Sequence, residues 1–300
     1  MKILVLIKSV PDTKIPLECV EDTGRLINDW YVPILNTDDT MAVSEALRIK
    51  KEIAETHISV VHLGPPSGER FIRDALALGC DEGLRIWDEE LENLHTGGKL
   101  LILARVAEIV GFDILFTGTK SLDTGSAQLG VLLASSLRVP CISRVVCIDE
   151  IQPGAITATR KLERGYQELV ESTIPLIVSV EADEETASAA PFSAIAVAAE
   201  KNIPCFDMSR IGVPLEVVRK EESRLKFGPL RLPEPRLRFV QPPDSSLPAF
   251  ERRRRIDEGG MRKRMGRIVR GEEDTVVEEL FQTLRRRGFL QHLGRESKKA

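Results

Sequence analysis

What this 300-residue chain lacks removes whole classes of protein. No two of its five cysteines, Cys19, Cys80, Cys141, Cys147 and Cys205, form a CxxC pair. An odd, scattered set implies neither a disulfide framework nor a zinc or iron–sulfur site. No apolar stretch approaches the roughly 20 residues with which a helix spans a bilayer. Neither GxGxxG nor GxxxxGK(S/T) occurs, which excludes the dinucleotide fingerprint and the P-loop. The four histidines, His57, His62, His95 and His292, are scattered, and His62 alternates with valines in "ISVVHLG" as a strand residue does. No Ser/His/Asp or Cys/His constellation marks a hydrolase, and with no Walker sequence a ligase acting on an adenylate is disfavoured too.

Hydrophobic residues make up 42% of the chain and charged residues 29%, the balance of a soluble globular protein with room for one large or two modest domains. The opening "MKILVLIKSV" has the lysine and short apolar run of a signal peptide. It lacks a small-residue cleavage site and leads into "PDTK", so it reads as a first buried strand of a protein expected in the cytoplasm. Charge is uneven. Residues 251 to 300 hold 15 Lys and Arg against 9 Asp and Glu, a balance of +6 that leaves −10 on the first 250. Basic tails can bind nucleic acid. This one mixes in acids and has no aromatic residue in its basic part for stacking, so it reads as a solvated or partner-docking arm.

The first half alternates. "KILVLIK" (2 to 8), "ISVVHLG" (58 to 64), "GLRIWD" (83 to 88) and "DILFTG" (113 to 118) are nearly continuous apolar runs, the kind that a sheet covered on both faces requires. Helical patterns separate them at Thr40 to Ala54, Glu69 to Leu78, Gly97 to Ile109 and Ala127 to Leu137. Strand and helix in alternation mean an α/β protein, a Rossmann-like parallel sheet with right-handed crossovers and ligands beyond the strands' carboxyl ends. Three polar loops, "NTDDT" (36 to 40), "LGPPSGE" (63 to 69) and "TGTKSLDTGS" (117 to 126), fall at that end and predict one crevice. Within the last, "SLDTGSAQLG" sets a glycine and small hydroxyl residues at a helix start, where exposed backbone N–H groups and the helix dipole suit a phosphate. Asp and Ser are also ordinary N-caps, so the same residues have a purely structural reading.

After residue 140 the pattern changes. "CISRVVCID", "AITATRKLE", "YQELVEST" and "PLIVSVEA" read as strands of an antiparallel addition, and "PFSAIAVAAEK" (191 to 201) as a helix with proline at its start. Residues 203 to 250, rich in proline, read as an extended segment. A helix over 272 to 290 closes the chain, its apolar face made by Val276, Val277, Leu280 and Leu284. The expected division is a nucleotide-binding domain over 1–205 and, over 206–300, an extended linker and C-terminal arm ending in that helix.

The stretch "ATRKLERGYQELVESTIPLIVS" (158 to 179) resembles the signature of electron transfer flavoprotein β subunits, through Arg160, Glu163, Gly165, Glu168, Pro175, Ile177, Val178 and Ser179. Arg164 departs from that pattern, standing where the family has Gly or an acid. "VLIKSVPDTK", "NTDDTMAVSEALRIKK", "ALALGCDEGLRI", "TGTKSLDTGSAQLG" and "KRMGRIVRGEE" are similar to further family segments, so the resemblance covers roughly residues 1 to 290.

The resemblance implies a heterodimer with an α subunit that holds most of a redox-active FAD. It also implies a C-terminal arm that embraces that subunit and a second nucleotide in the β crevice. Carried over, the crevice is lined by Leu6, Asn36, Asp38, Leu63, Thr119, Asp123, Gly125, Ser126, Ala127, Gln128 and Leu129. Asn36 and Asp38 suit a ribose or adenine edge and are equally read as helix caps; Leu6 and Leu63 are equally read as core. The second nucleotide is FAD or AMP. AMP-holding branches resemble "D-x-x-x-N-Q-T-G" and the electron-bifurcating branch "D-G-D-T-A-Q-V-G"; with Ala127 and Leu129, "DTGSAQLG" follows the second. The family's work is to carry electrons from a dehydrogenase of the acyl-CoA type to an acceptor such as a membrane quinone oxidoreductase. The alternatives are a bifurcating subunit oxidising NADH and a stand-alone adenine-nucleotide-binding stress-type domain. The dehydrogenase would dock on residues 184–201, where "ETASAAPFSAIAVAAEK" keeps the family's proline and helix but has lost nearly all of its positive charge.

Overall fold

Nearly continuous apolar runs decide the centre of the fold, because a strand with so little polar surface must be covered on both faces. The computed structural model describes residues 1–20, 27, 32–92, 94–182, 189–222, 243, 245–257 and 271–286. Its first half runs β1 (Lys2–Ile7), β2 (Ser9–Pro11), β3 (Pro33–Leu35), α1 (Thr37–Glu52), β4 (His57–Leu63), α2 (Glu69–Leu78), β5 (Glu82–Ile86), α3 (Thr96–Val110), β6 (Ile114–Gly118) and α4 (Leu129–Leu137). There follow β7 (Cys141–Gln152), β8 (Ala155–Lys161), β9 (Gln167–Thr173), β10 (Leu176–Val180), α5 (Phe192–Glu200), β11 (Cys205–Phe206), α6 (Met208–Ile211) and α7 (Leu215–Glu222).

The expected α/β architecture is present. Nine strands form one sheet in the order β11-β5-β4-β1-β6-β10-β7-β8-β9, parallel from β11 through β7 and antiparallel across β7, β8 and β9. A separate antiparallel pair joins β2 and β3. One face of the sheet packs on α1, α2 and α5 through Val43, Ala46, Ile72, Ala75 and Ala198, with Phe116 at its centre. The other packs on α3 and α4 through Ile102, Val106, Ala107 and Leu133, with Leu4 and Leu115 below them. Helix α2 shows the local logic: Phe71, Ile72, Ala75 and Leu76 are buried at helical spacing, and Gly79, at φ 121°, ends it in a backbone geometry that favours glycine.

Four expectations need correction. "PLIVSV" does not extend the antiparallel addition; β10 inserts between β6 and β7, parallel to both, because all five of its residues are apolar or small and all are buried. Residues 203 to 222 are not extended: they form β11, α6 and α7, and Ile211 and Val218 pack into the α3 side of the core. "NTDDT" is not a loop beyond Asn36 but the first turn of α1, where Asp38 and Asp39 favour the helix dipole. Helix α4 begins at Leu129, two residues later than expected, since Ala127 is left-handed at φ 52°.

The chain divides into two compact units, Met1–Leu232 and Pro233–Ala300. The second holds α8 (Ala249–Asp257) and α9 (Glu273–Arg286), the latter corresponding to the closing helix expected over 272 to 290, whose last four positions lie outside the described residues. Among the described residues no helix is long and apolar enough to cross a membrane, and no His, Cys, Asp or Glu group is arranged for a metal ion.

Candidate functional site

Strand order locates the site. From β1 the chain steps outward through α1 to β4 and through α2 to β5, then returns by α3 to β6 on the other side of β1. The direction reverses between β1 and β6, and ligands of such sheets bind beyond that switch point. A cavity of about 590 Å³ opens there, on the α3 and α4 face, within the ~300–1,000 Å³ range of small-molecule sites. Leu6, Val61, Leu63, Leu94 and Leu103 give it an apolar floor, while Lys8, Lys99, Thr117 and the 119–129 loop supply polar groups.

Carboxylates on the first turn of α1 hold the strand ends in place. Asp39 accepts from the backbone N–H of Lys8 (2.8 Å) and Gly118 (3.0 Å), joining the ends of β1 and β6. Asp38 accepts from Lys120 and Ala182 N–H, both at 3.0 Å, tying the loop to the chain after β10. Asn36 donates to Lys120 O (2.9 Å) and accepts from Leu122 N–H (3.1 Å). Gly118 is required at this crossing, because a Cβ there would stand 2.2 Å from Asp39 Oδ1 and 2.9 Å from Asp38 Cβ. Lys8 Nζ reaches across to Asp123 at 2.5 and 2.7 Å. Burial raises the Asp123 pKa, but hydrogen bonds from Lys8 and Ser121, the Lys8 charge and the Thr124 N–H together outweigh it and hold the carboxyl below its usual range.

The N-terminus of α4 faces this cavity without a cap. Leu132 N–H to Gln128 O, at 3.0 Å, is its first internal bond, so the N–H groups of Gln128 to Val131 have no partner within the helix. Among the described residues Gln128 holds the N-cap position and makes no side-chain cap bond, and neither Asp123 nor Ser126 takes that place. Gly125 (φ 58°) and Ala127 (φ 52°) are both left-handed, and the Gly125 N–H is taken within the loop by Ser121 O at 2.9 Å. Uncapped amides, a helix dipole and an apolar floor fit a phosphorylated nucleotide.

Of the residues expected at the crevice, Leu6, Asn36, Leu63, Thr119, Asp123, Ser126, Ala127, Gln128 and Leu129 line it; Asp38 and Gly125 do not. Asn36 and Asp38 meet neither earlier reading in full. Asn36 stands at the N-cap position but makes no side-chain cap bond, and both Asp38 oxygens are occupied by backbone donors. The "LGPPSGE" loop contributes only Leu63 to the wall. It leads to α2 on the opposite face, and its Gly64 and Gly68 instead enclose His62, whose Cε1 would stand 2.4 and 2.2 Å from a Cβ at those positions. The remaining wall is the start of α3: His95, Thr96 and Lys99 line the cavity. Their segment "HTGGK" has the same small-residue helix start as 121–130, and that is the signal by which it is found.

Two buried groups give opposite pH dependences. Burial pushes Asp39 up to about 7 despite the hydrogen bonds from Asn36, Lys8 and Gly118, so the fold loses stability as pH rises from 3.8 towards 7. Burial, aided by the Arg85 charge, lowers His62 to about 4, so the fold loses stability as pH falls from 6.5 towards 4. In the wild type these trends nearly cancel. In His62→Gln the Asp39 trend is left uncompensated, and denaturant titration of nucleotide-free protein should show it about 2–3 kcal/mol more stable at pH 5 than at pH 8. An unchanged pH profile would remove this account of the two groups.

Fold and crevice together define a doubly wound α/β protein with a cavity at its switch point that an uncapped helix start borders. A family model described as the electron transfer flavoprotein domain matches residues 32–207. An electron transfer flavoprotein subunit beta from Thermoanaerobacterium thermosaccharolyticum is 34% identical over 180 residues, covering 60% of this chain and 67% of that protein. A caffeyl-CoA reductase-Etf complex subunit, CarD, from Acetobacterium woodii is 32% identical, over 60% and 68%. The subunit beta of Methylophilus methylotrophus is 29% identical over 237 residues, 78% of this chain and 89% of that one. The chain belongs to the electron transfer flavoprotein family, on the β-subunit side.

Proposed function

We propose that this chain is the β subunit of a heterodimeric electron transfer flavoprotein and that its crevice holds an adenine nucleotide. The uncapped N-terminus of α4 at the switch-point cavity carries the reading. The α subunit holds the redox-active FAD, whose ring accepts and releases the electrons when bound. This chain orients its own nucleotide, keeps water from it with Leu6, Leu63 and Leu103, and docks the partners. Co-expression with its α subunit should give one eluting species with flavin absorption; a colourless chain eluting alone contradicts the reading.

FAD is the favoured second nucleotide. Ala127 and Leu129 present no side-chain donor to a terminal phosphate, whereas the backbone N–H groups of the same stretch suit a pyrophosphate. That observation also favours the electron-bifurcating reading, with NADH as donor.

Helix α5 is proposed to meet the redox partner. Its Phe192, Ile195 and Val197 are exposed, by 84%, 46% and 63%, while Ala198 packs into the core and Arg73 Nη1 donates to the carbonyls of Ala198, Ala199 and Lys201 at 2.8, 2.6 and 3.1 Å. Residues 184–188 of the expected docking segment lie outside the described residues. An apolar contact of this kind needs no electrostatic steering. Electron transfer to the true partner should change less than about twofold between low and physiological salt, and a steep fall in stopped-flow rate over that range counts against the assignment.

A further inference from the structure

Beneath the first turn of α4 lies a hydroxyl that the fold does not use. Thr117, on β6, is 2% exposed and lines the cavity, yet among the described residues its Oγ1 has no hydrogen-bond partner. Its neighbours differ: Thr119 Oγ1 and Ser179 Oγ pair with each other at 2.9 Å. A strand residue facing α4 would serve the core equally as valine, since buried hydroxyls without partners are destabilising. The position is fixed on one side by Gly130, where a Cβ would come within 3.0 Å of Thr117 Oγ1. Gly130 belongs to the uncapped first turn, so the hydroxyl lies against the helix start whose N–H groups have no partner within the helix. Such donors call for a strong acceptor, and the helix dipole selects a negatively charged one.

We propose that Thr117 Oγ1 donates to a phosphoryl oxygen of the nucleotide bound at the start of α4, and so determines affinity for the phosphate part of that ligand. The proposal rests on the adenine-nucleotide reading of the crevice. It assigns to Thr117 a role that neither the loop pattern nor the lining as first expected contained.

The test uses the full-length protein with its α subunit, stripped of nucleotide, and compares wild type, Thr117→Val and Thr117→Ser by calorimetric titration with adenosine, AMP and FAD. Thr117→Val should bind AMP and FAD about tenfold to a hundredfold more weakly, and adenosine as the wild type does. Thr117→Ser, which keeps the hydroxyl, should stay within about threefold for all three. The nucleotide-free valine variant should melt no lower than wild type, because the hydroxyl it removes has no partner to lose. Equal losses for adenosine and AMP would overturn the phosphoryl assignment, and so would a lower melting temperature of the nucleotide-free variant. Unchanged binding of AMP and FAD by Thr117→Val would overturn the role of Thr117 while leaving the crevice reading intact. Wild type that rebinds none of the three would overturn the crevice reading itself.

Discussion

Asp38→Ala will empty the crevice and cost the fold about 2–4 kcal/mol, although Asp38 does not line the cavity. Both its oxygens are occupied, by Lys120 N–H at the root of the 119–128 loop and by Ala182 N–H after β10. Asp38 is 4% exposed, and the two bonds it accepts are part-buried. Removing the carboxylate leaves two part-buried backbone donors unpaired, at about 1–3 kcal/mol each before relaxation and rehydration. The loop then loses one of its anchors, and a displacement of even an ångström misdirects amides that act only in concert. Asp38→Asn should fall nearly as far, since its NH₂ would face one of the same two N–H donors. By contrast, Asp123→Asn removes an ion pair whose side chains are 34% and 27% exposed and should cost less than about 1 kcal/mol. A drop in Tm of roughly 5–15 °C in nucleotide-free Asp38→Ala, with loss of bound nucleotide, is expected. A Tm within about 1 °C of wild type and full occupancy would remove the staple from the account.

Truncation after residue 250 will abolish association with the α subunit. Helix α9 begins with Glu273 and Asp274 and ends with Arg285 and Arg286, charges that favour both of its ends. Its apolar side, by contrast, is largely uncovered: Val277, Leu280 and Phe281 are 64%, 57% and 49% exposed, Val276 and Leu284 are half-buried, and no residue of the helix is buried. An amphipathic helix of this kind gains most of its stability by packing, and an exposed apolar side is the mark of a contact surface. Loss of such anchors should weaken association by at least about 100-fold. The truncated chain should elute apart from the α subunit on size exclusion while its remaining portion melts as before. Co-elution of the truncated chain would refute the arm.

The parallel sheet was legible because β1, β4, β5 and β6 are mostly apolar runs broken only by a few polar residues such as Ser59, His62 and Arg85, and such a run has few other places to go. The 119–129 wall was legible because small residues at a helix start have a specific physical use. Other features depend on contacts far apart in the chain. Asp38 and Asp39 look like dipole-matching acids at a helix start, and only the folded ends of β1, β6 and β10 reveal their long-range bonds. "PLIVSV" follows three antiparallel strands, and pairing order, which propensity does not encode, carries it to the middle of the sheet. The face on which each helix packs decided which loops build the crevice: the one before α3 joined it and most of the one before α2 did not.

The central claim is that this chain brings its own adenine nucleotide to a flavoprotein heterodimer. It is tested most directly by denaturing the purified complex and quantifying the released nucleotides by chromatography. Two FAD per heterodimer are predicted, one in the α subunit and one at the uncapped start of α4. One FAD with one AMP would keep the crevice and refute the preference for FAD drawn from Ala127 and Leu129. One FAD with no second nucleotide would contradict the account.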